Sequence, residues 1–221
     1  MSAKLNKPVL VIGLGRFGGS VARTLERMGH EVLGADRDPA LVQQFASELT
    51  QVVEADCTDM KCLQSLGVAD FESAVVAIGS DIEASVLTVL ALSDLGIERI
   101  WAKATNEKHA RILERTGAGH VVFPEERMGE RVARLLNERL LDFIDFGDDF
   151  SIARLAAPGP IIGIPLVTSE CRKKYAVTVI GVKREGEDFI HAVPDTLIMP
   201  GDVLVVSGKV DDIEAFAALE H

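Results

Sequence analysis

No apolar run in the 221-residue sequence is long enough to cross a membrane; the longest candidate, Ser73 to Ile97, is interrupted by Asp81, Glu83 and Asp94. The opening stretch MSAKLNKP lacks the apolar centre of a secretory signal. The chain is therefore expected in the cytoplasm, reaching a membrane only through a partner. Cysteine is scarce: Cys57, Cys62 and Cys171 form no C-x-x-C pair and are odd in number, which argues against a disulfide framework or a zinc site and leaves free thiols. Basic charge is in deficit, with 23 Lys and Arg against 34 Asp and Glu for a net charge of -11. The average surface would repel a phosphate backbone, so no nucleic-acid partner is expected.

Catalytic signatures are missing as well. The five histidines, His30, His109, His120, His191 and His221, show no metal-ligand spacing. The single tyrosine, Tyr175, has Val179 four positions on, so the Tyr-x-x-x-Lys pair of short-chain dehydrogenases is absent. GLGRFGGS lacks the Gly-Lys-Ser/Thr ending of a phosphate-hydrolysing P-loop. The sequence reads as that of a binding protein rather than an enzyme.

What is present is a globular composition, 48% hydrophobic and 26% charged. From Pro8 to Phe123 short apolar runs alternate with helical patterns, which predicts parallel strands joined by crossover helices. The expected strands are Val9 to Ile12, Glu31 to Ala35, Gln51 to Ala55, Ser73 to Ile78, Arg99 to Ala102 and His120 to Phe123. Asp38-Pro39, the capping box Ser80 to Glu83, and the Asn106 and Gly117 pair mark helix ends. A helix is expected from about Glu125 to Leu141, with Met128, Val132, Leu135, Leu136 and Leu140 on one stripe that needs a covering surface, which a second subunit could supply. The pattern then changes: FSIARLAAP, AVTVIGVKREGEDFIHAV and GDVLVVSG alternate as strands and VDDIEAFAALE closes as a helix. The fold class is α/β, a Rossmann-like doubly wound parallel sheet followed by a second, smaller α+β domain.

The first strand enters a G-x-G-x-x-G turn, Gly13, Gly15 and Gly18, and the second ends on Asp36. Gly13 permits the tight turn, Gly15 lets a pyrophosphate approach the backbone, and Gly18 lets the helix pack close to the strand. Phosphate then meets the free N–H groups of the helix start. Asp36 suits the ribose hydroxyls and would repel a 2′-phosphate, which disfavours NADP; Arg37 beside it and Phe17 within the turn join the candidate set. Asp56 and Cys57, with Ile78 and Gly79, lie in loops that either flank an adenine or simply cap helices. Arg16 tilts the ligand toward ATP or ADP, because a cation in the turn reaches a terminal phosphate, whereas a dinucleotide's pyrophosphate is served by backbone N–H groups. A solvated arginine is the alternative. Lys103 ends the fifth strand in the expected ligand crevice, and Glu125 stands in a first helical turn, where the dipole alone favours a carboxylate.

The segments VIGLGRFGGSVARTLERMGHEVLGAD, VVAIGSDIEASVLTVLALSDLGI, IWAKATNEKHARILERTGA, FPEERMGERVA and RKKYAVTVIGVKREG resemble the KtrA/KtrC-type RCK (regulator of conductance of potassium) cytosolic subunits of bacterial potassium channels. The resemblance spans nearly the whole chain. It implies an RCK N-lobe over 1–142, including a crossover helix, and a dimerising C-lobe over 143–221. It further implies an octameric ring, built from dimers, at the inner face of the membrane on a KtrB-like potassium-transporting subunit, activated by ATP and inactivated by ADP.

By the same resemblance Arg16 meets the terminal phosphate across a dimer and Lys103 lies near the phosphates. Glu125 contributes to a Mg²⁺ or Ca²⁺ site. The C-lobe of such subunits commonly takes cyclic di-AMP as an inhibitor. Here Ile161, Ile162, Ile164, Arg172, His191 and Pro194 offer either that cleft or an ordinary dimer core. An NAD(H)-binding TrkA-like subunit and a small NAD-dependent oxidoreductase are the alternative functions.

Overall fold

The structure is a computed structural model that describes residues 8–136, 140–147 and 149–220. The chain divides into two compact units between Glu126 and Arg127.

In the first unit β1 (Val9–Ile12), α1 (Arg16–Arg27), β2 (Val32–Asp36), α2 (Pro39–Phe45), β3 (Gln51–Glu54), α3 (Met60–Ser65), β4 (Ser73–Val76), α4 (Ile82–Asp94), β5 (Arg99–Lys103), α5 (Glu107–Thr116) and β6 (His120–Val122) follow in turn. The sheet has six parallel strands in the order β3-β2-β1-β4-β5-β6, the Rossmann arrangement expected from the alternation of strand and helix patterns. Its crevice therefore lies at the carboxyl ends of β1 and β4, where the strand order reverses.

Strand periodicity sends neighbouring side chains to opposite faces. Leu10 and Ile12 join Ala74, Val76, Val89, Leu92, Ile100 and Leu113 in one core. Val11 joins Leu14, Ala22, Val32, Phe45 and Leu49 in another. Burying this aliphatic surface on both faces, at roughly 25 cal/mol per Å² of apolar area, holds the sheet and its helices together. The helix signals resolve much as the sequence predicts. Asp38 accepts from Ala40 N at 2.9 Å and Asn106 from His109 N at 3.0 Å. Gly117 ends α5 in the left-handed region. One cap shifts by a residue: Asp81, not Ser80, opens α4, because its carboxylate accepts from Ala84 N at 3.0 Å.

On the α1 side an open groove of about 990 Å³ remains over the sheet, lined by Val9, Phe17, Leu25, Val75, Trp101 and Val122 among others. Trp101 and His120 stack within it, ring centroids 4.1 Å apart.

The helix α6 (Pro124–Leu135) crosses from the first unit into the second. Here sequence and structure differ. The helix was expected to reach Leu141, but it stops at Leu135, and Leu140 and Leu141 begin strand β7 (Leu140–Asp145). The apolar positions of LLDFID fit helix and strand alike over so short a run, and pairing with β8 (Ser151–Ala156) decides the matter. Asn137, Glu138 and Arg139 lie outside the described residues. No residue of α6 is buried; Met128, Val132 and Leu136 present an exposed apolar stripe.

The second unit continues with α7 (Leu166–Ser169), α8 (Cys171–Tyr175), β9 (Thr178–Lys183), β10 (Ile190–His191), β11 (Val203–Gly208) and α9 (Val210–Ala217). Its antiparallel sheet has the order β10-β9-β11-β8-β7. Leu155, Val182, Ile198, Leu204, Val206, Ile213 and Phe216 form its core. Asp202, fully buried, accepts from Arg184 Nε at 2.8 Å and Nη2 at 3.0 Å, and from Met199 N at 2.8 Å, locking the turn before β11 onto the end of β9.

Candidate functional site

The glycine turn is built by contacts that leave no room for side chains at two positions and leave open space at a third. Gly13 has φ +92°, and a Cβ there would stand 3.1 Å from the Ala77 carbonyl carbon. A Cβ on Gly18 would fall 1.8 Å from the Gly13 carbonyl oxygen, so only glycine lets α1 approach β1 this closely. Gly15 is the opposite case: nothing lies within 4 Å of its Cβ position. The space beside Gly15 is open to an approaching group.

Gly15 is also the N-cap of α1 and gives it no side-chain cap, and the first turn carries no acidic residue. Uncapped N–H groups and the helix dipole make this end attractive to an anion. Phe17 contributes its backbone to that first turn, while its side chain faces the groove on the α1 side.

At the end of β2, Asp36 is held toward the turn. Its carboxylate accepts from Leu14 N at 2.6 Å and from Asp38 N at 2.9 Å, leaving lone pairs for further donors. Arg37 reaches Asp81 across the mouth of the crevice, Nη1 to Oδ2 at 3.8 Å. Asp56, after β3, accepts from the Thr58 hydroxyl at 2.7 Å and Thr58 N at 3.0 Å, which holds its carboxyl below the usual range. Cys57 next to it is a core residue, and burial pushes its thiol up to about 12. After β4, Ile78 packs against the core and Gly79 is covered by Lys103: a Cβ on Gly79 would lie 2.9 Å from the ammonium.

Lys103 has little exposure, and its Nζ donates to Glu125 Oε1 at 2.5 Å. That bond and the nearby Arg16 hold the Glu125 carboxyl below its ordinary value. Arg16 is exposed and, among the described residues, makes no hydrogen bond or ion pair of its own. The crevice therefore gathers Gly13, Gly15, Arg16 and Gly18 of the glycine turn with Asp36, Arg37, Gly79, Lys103 and Glu125, which come from the carboxyl ends of β2, β4 and β5 and from the first turn of α6. Sequence reading missed the pairing of Lys103 with Glu125 and the contact of Arg37 with Asp81, since neither spacing carries a local signal.

The C-lobe candidates are dispersed in character. Ile161 is 1% exposed and belongs to the core, and Ile162 and Ile164 are half-buried. Arg172 donates to the Thr178 hydroxyl at 3.1 Å. His191 stands edge-on to Phe189, and the Pro194 carbonyl accepts from Val167 N at 2.8 Å. Around them Val167, Phe189, Ile190, Val193 and Leu197 are exposed.

Residues 9–124 match the TrkA-N domain family and residues 150–221 the TrkA-C domain family. Over 212 residues, 96% of each chain, the sequence is 41% identical to Ktr system potassium uptake protein A of Bacillus subtilis (strain 168). The chain belongs to the Ktr family of potassium uptake proteins. It is likewise 36% identical over 96% of each chain to the Ktr system protein C of that organism. Against Ktr system protein A of Vibrio alginolyticus it is 35% identical, over 94% of this chain and 95% of the relative. Among solved structures the Ktr chain superimposes on the GsuK RCK domain with TM-score 0.65 and 22% identity, covering 99% of this chain and 48% of that one. The GsuK channel bound to NAD gives TM-score 0.64 at 21% identity, covering 99% and 40%. These likenesses show the RCK fold, and the chain spans about half or less of those channel chains.

Proposed function

We propose that this Ktr chain is a non-catalytic regulatory subunit that senses the ATP to ADP balance and gates a membrane potassium-transporting subunit of the KtrB type. The observation that carries the reading is Arg16, exposed at the uncapped start of α1 and, among the described residues, without a hydrogen bond or ion pair, with Lys103 at the end of β5. A nucleotide whose ribose meets Asp36 and whose phosphates lie over Gly15 extends its terminal phosphate into these cations. An arginine within the turn and a lysine at the end of β5 are more than a dinucleotide's internal pyrophosphate needs.

Among the described residues no helix is long and apolar enough to cross a membrane, which fits a subunit that acts through a membrane partner. The exposed stripe of α6 and the groove over the first sheet favour assembly of several copies, in the reading a ring of eight built from dimers. Assembly suits the energetics. A swing from closed to open takes about 5.5 kcal/mol of differential affinity, whereas one charge-assisted phosphate contact supplies about 1.5–3 kcal/mol. Several linked sites meet the need.

Among the described residues there is no group of three metal-ligating side chains. Glu125 alone would hold Mg²⁺ or Ca²⁺ only together with phosphate oxygens of the bound nucleotide, and the cation would then neutralise their charge. In the second unit, the exposed apolar cluster near Pro194, with Arg172 and His191 on the same unit, supports a cyclic di-AMP site between paired C-lobes. Asp36 equally serves an NAD ribose, so NAD(H) is the second reading. Calorimetric titration of ATP, ADP and NADH into wild type and Arg16→Ala tests the choice. Loss of the ATP preference in the variant supports the ATP reading, and NADH binding alone refutes it.

A further inference from the structure

Lys103 and Glu125 come from different elements, one at the end of β5 and the other in the first turn of α6, yet they meet over Gly79 at the crevice floor. Lys103 has 13% of its side chain exposed and Glu125 66%. The lysine is thus fixed in the wall and the glutamate is the movable partner. Arg16 of the glycine turn is near enough to Glu125 to help hold its carboxyl down, and that carboxylate makes the same kind of charge-assisted bond to Lys103 that a phosphate would make. Two anions on one ammonium repel each other, so an arriving phosphate weakens the Lys103–Glu125 bond.

From this geometry we infer that Glu125 is an internal stand-in for the terminal phosphate, and that nucleotide binding exchanges the Lys103–Glu125 bond for a Lys103–phosphate bond. This rests on the nucleotide reading of the crevice. The exchange frees the first turn of α6 from β5, and α6 is the segment through which the chain passes from the first unit into the second. Occupancy of the phosphate seat is in this way converted into release of the connecting helix. The exchange also leaves the Glu125 carboxylate without its cation, so a divalent ion gains a ligand only after the phosphate has arrived.

The test is a double-mutant cycle on the full chain, with ATP titrated by calorimetry in EDTA so that no metal contributes. If Glu125 competes with phosphate for Lys103, Lys103→Gln costs about fivefold more ATP affinity in the Glu125→Gln background than in wild type. Simple repulsion by Glu125 predicts an equal or smaller loss in that background, and this result overturns the exchange. A second readout is hydrogen exchange of the amides at 126–130, which rises when ATP is added to wild type and is already raised in Glu125→Gln. Unchanged exchange in both also overturns it. ATP binding that is intact without coupling sinks the exchange alone, whereas wild type that binds no ATP removes the ATP reading and the exchange together.

Discussion

Asp36 reaches back over twenty residues to hold the glycine turn: its carboxylate accepts a 2.6 Å hydrogen bond from the Leu14 backbone N–H. The acid that would read the ribose therefore also shapes the loop that would hold the phosphates. Asp36→Asn keeps one acceptor oxygen for Leu14 but loses the charge, so the fold should persist while nucleotide affinity falls by roughly 10- to 100-fold, the worth of a hydrogen bond to a charged group. Calorimetry beside thermal melting separates the two effects. An unchanged affinity would place the nucleotide elsewhere.

The glycines should divide into structural and ligand-facing sets. Gly18→Ala puts a methyl group 1.8 Å from the Gly13 carbonyl oxygen, which demands backbone movement and should cost about 1–3 kcal/mol or more. Gly15→Ala meets nothing within 4 Å and should leave the melting temperature nearly unchanged while blocking the phosphate's approach. If both variants melt alike and bind alike, the seat has been misplaced.

Acid sensitivity of the second unit should trace to Asp202. Arg184 holds its carboxyl below the ordinary value, so the pair stabilises the fold above the unfolded pKa of about 3.9 and is lost as pH falls through the lower folded value. Wild type should therefore lose stability on acidification below about pH 4 more steeply than Asp202→Asn, which is less stable at neutral pH. Parallel pH profiles by circular dichroism would count against this assignment.

Thiol chemistry should distinguish the two cysteines near the crevice. Cys57 is buried with its thiol pushed up to about 12, whereas Cys62 is half-buried. At pH 8 a maleimide should modify Cys62 well before Cys57. Equal rates, read by mass spectrometry, would show the β3 loop to be open.

Much of the first unit was legible because its signals are local. Strand and helix periods alternate, Asp38 and Asn106 cap where expected, and the glycine spacing identifies the crevice. The passage through LLDFID was not legible, since its period suits helix and strand and only pairing with β8 settles it. The short helices α7 and α8 likewise follow from packing of the second core, into which Cys171 at the start of α8 is buried. Within the site, the residue types were readable and their partners were not. Lys103 meets Glu125, and Arg37 meets Asp81, through the order in which strands are laid side by side.

The most direct test of the central claim is competition at the crevice. Purified protein is titrated with ATP, ADP and NADH in turn, each then challenged with the others, with Arg16→Ala alongside. ATP and ADP should bind one shared site, with ATP favoured by about tenfold or more and the preference abolished in Arg16→Ala. Tight NADH binding that ATP cannot displace, unaffected by Arg16→Ala, would contradict the account.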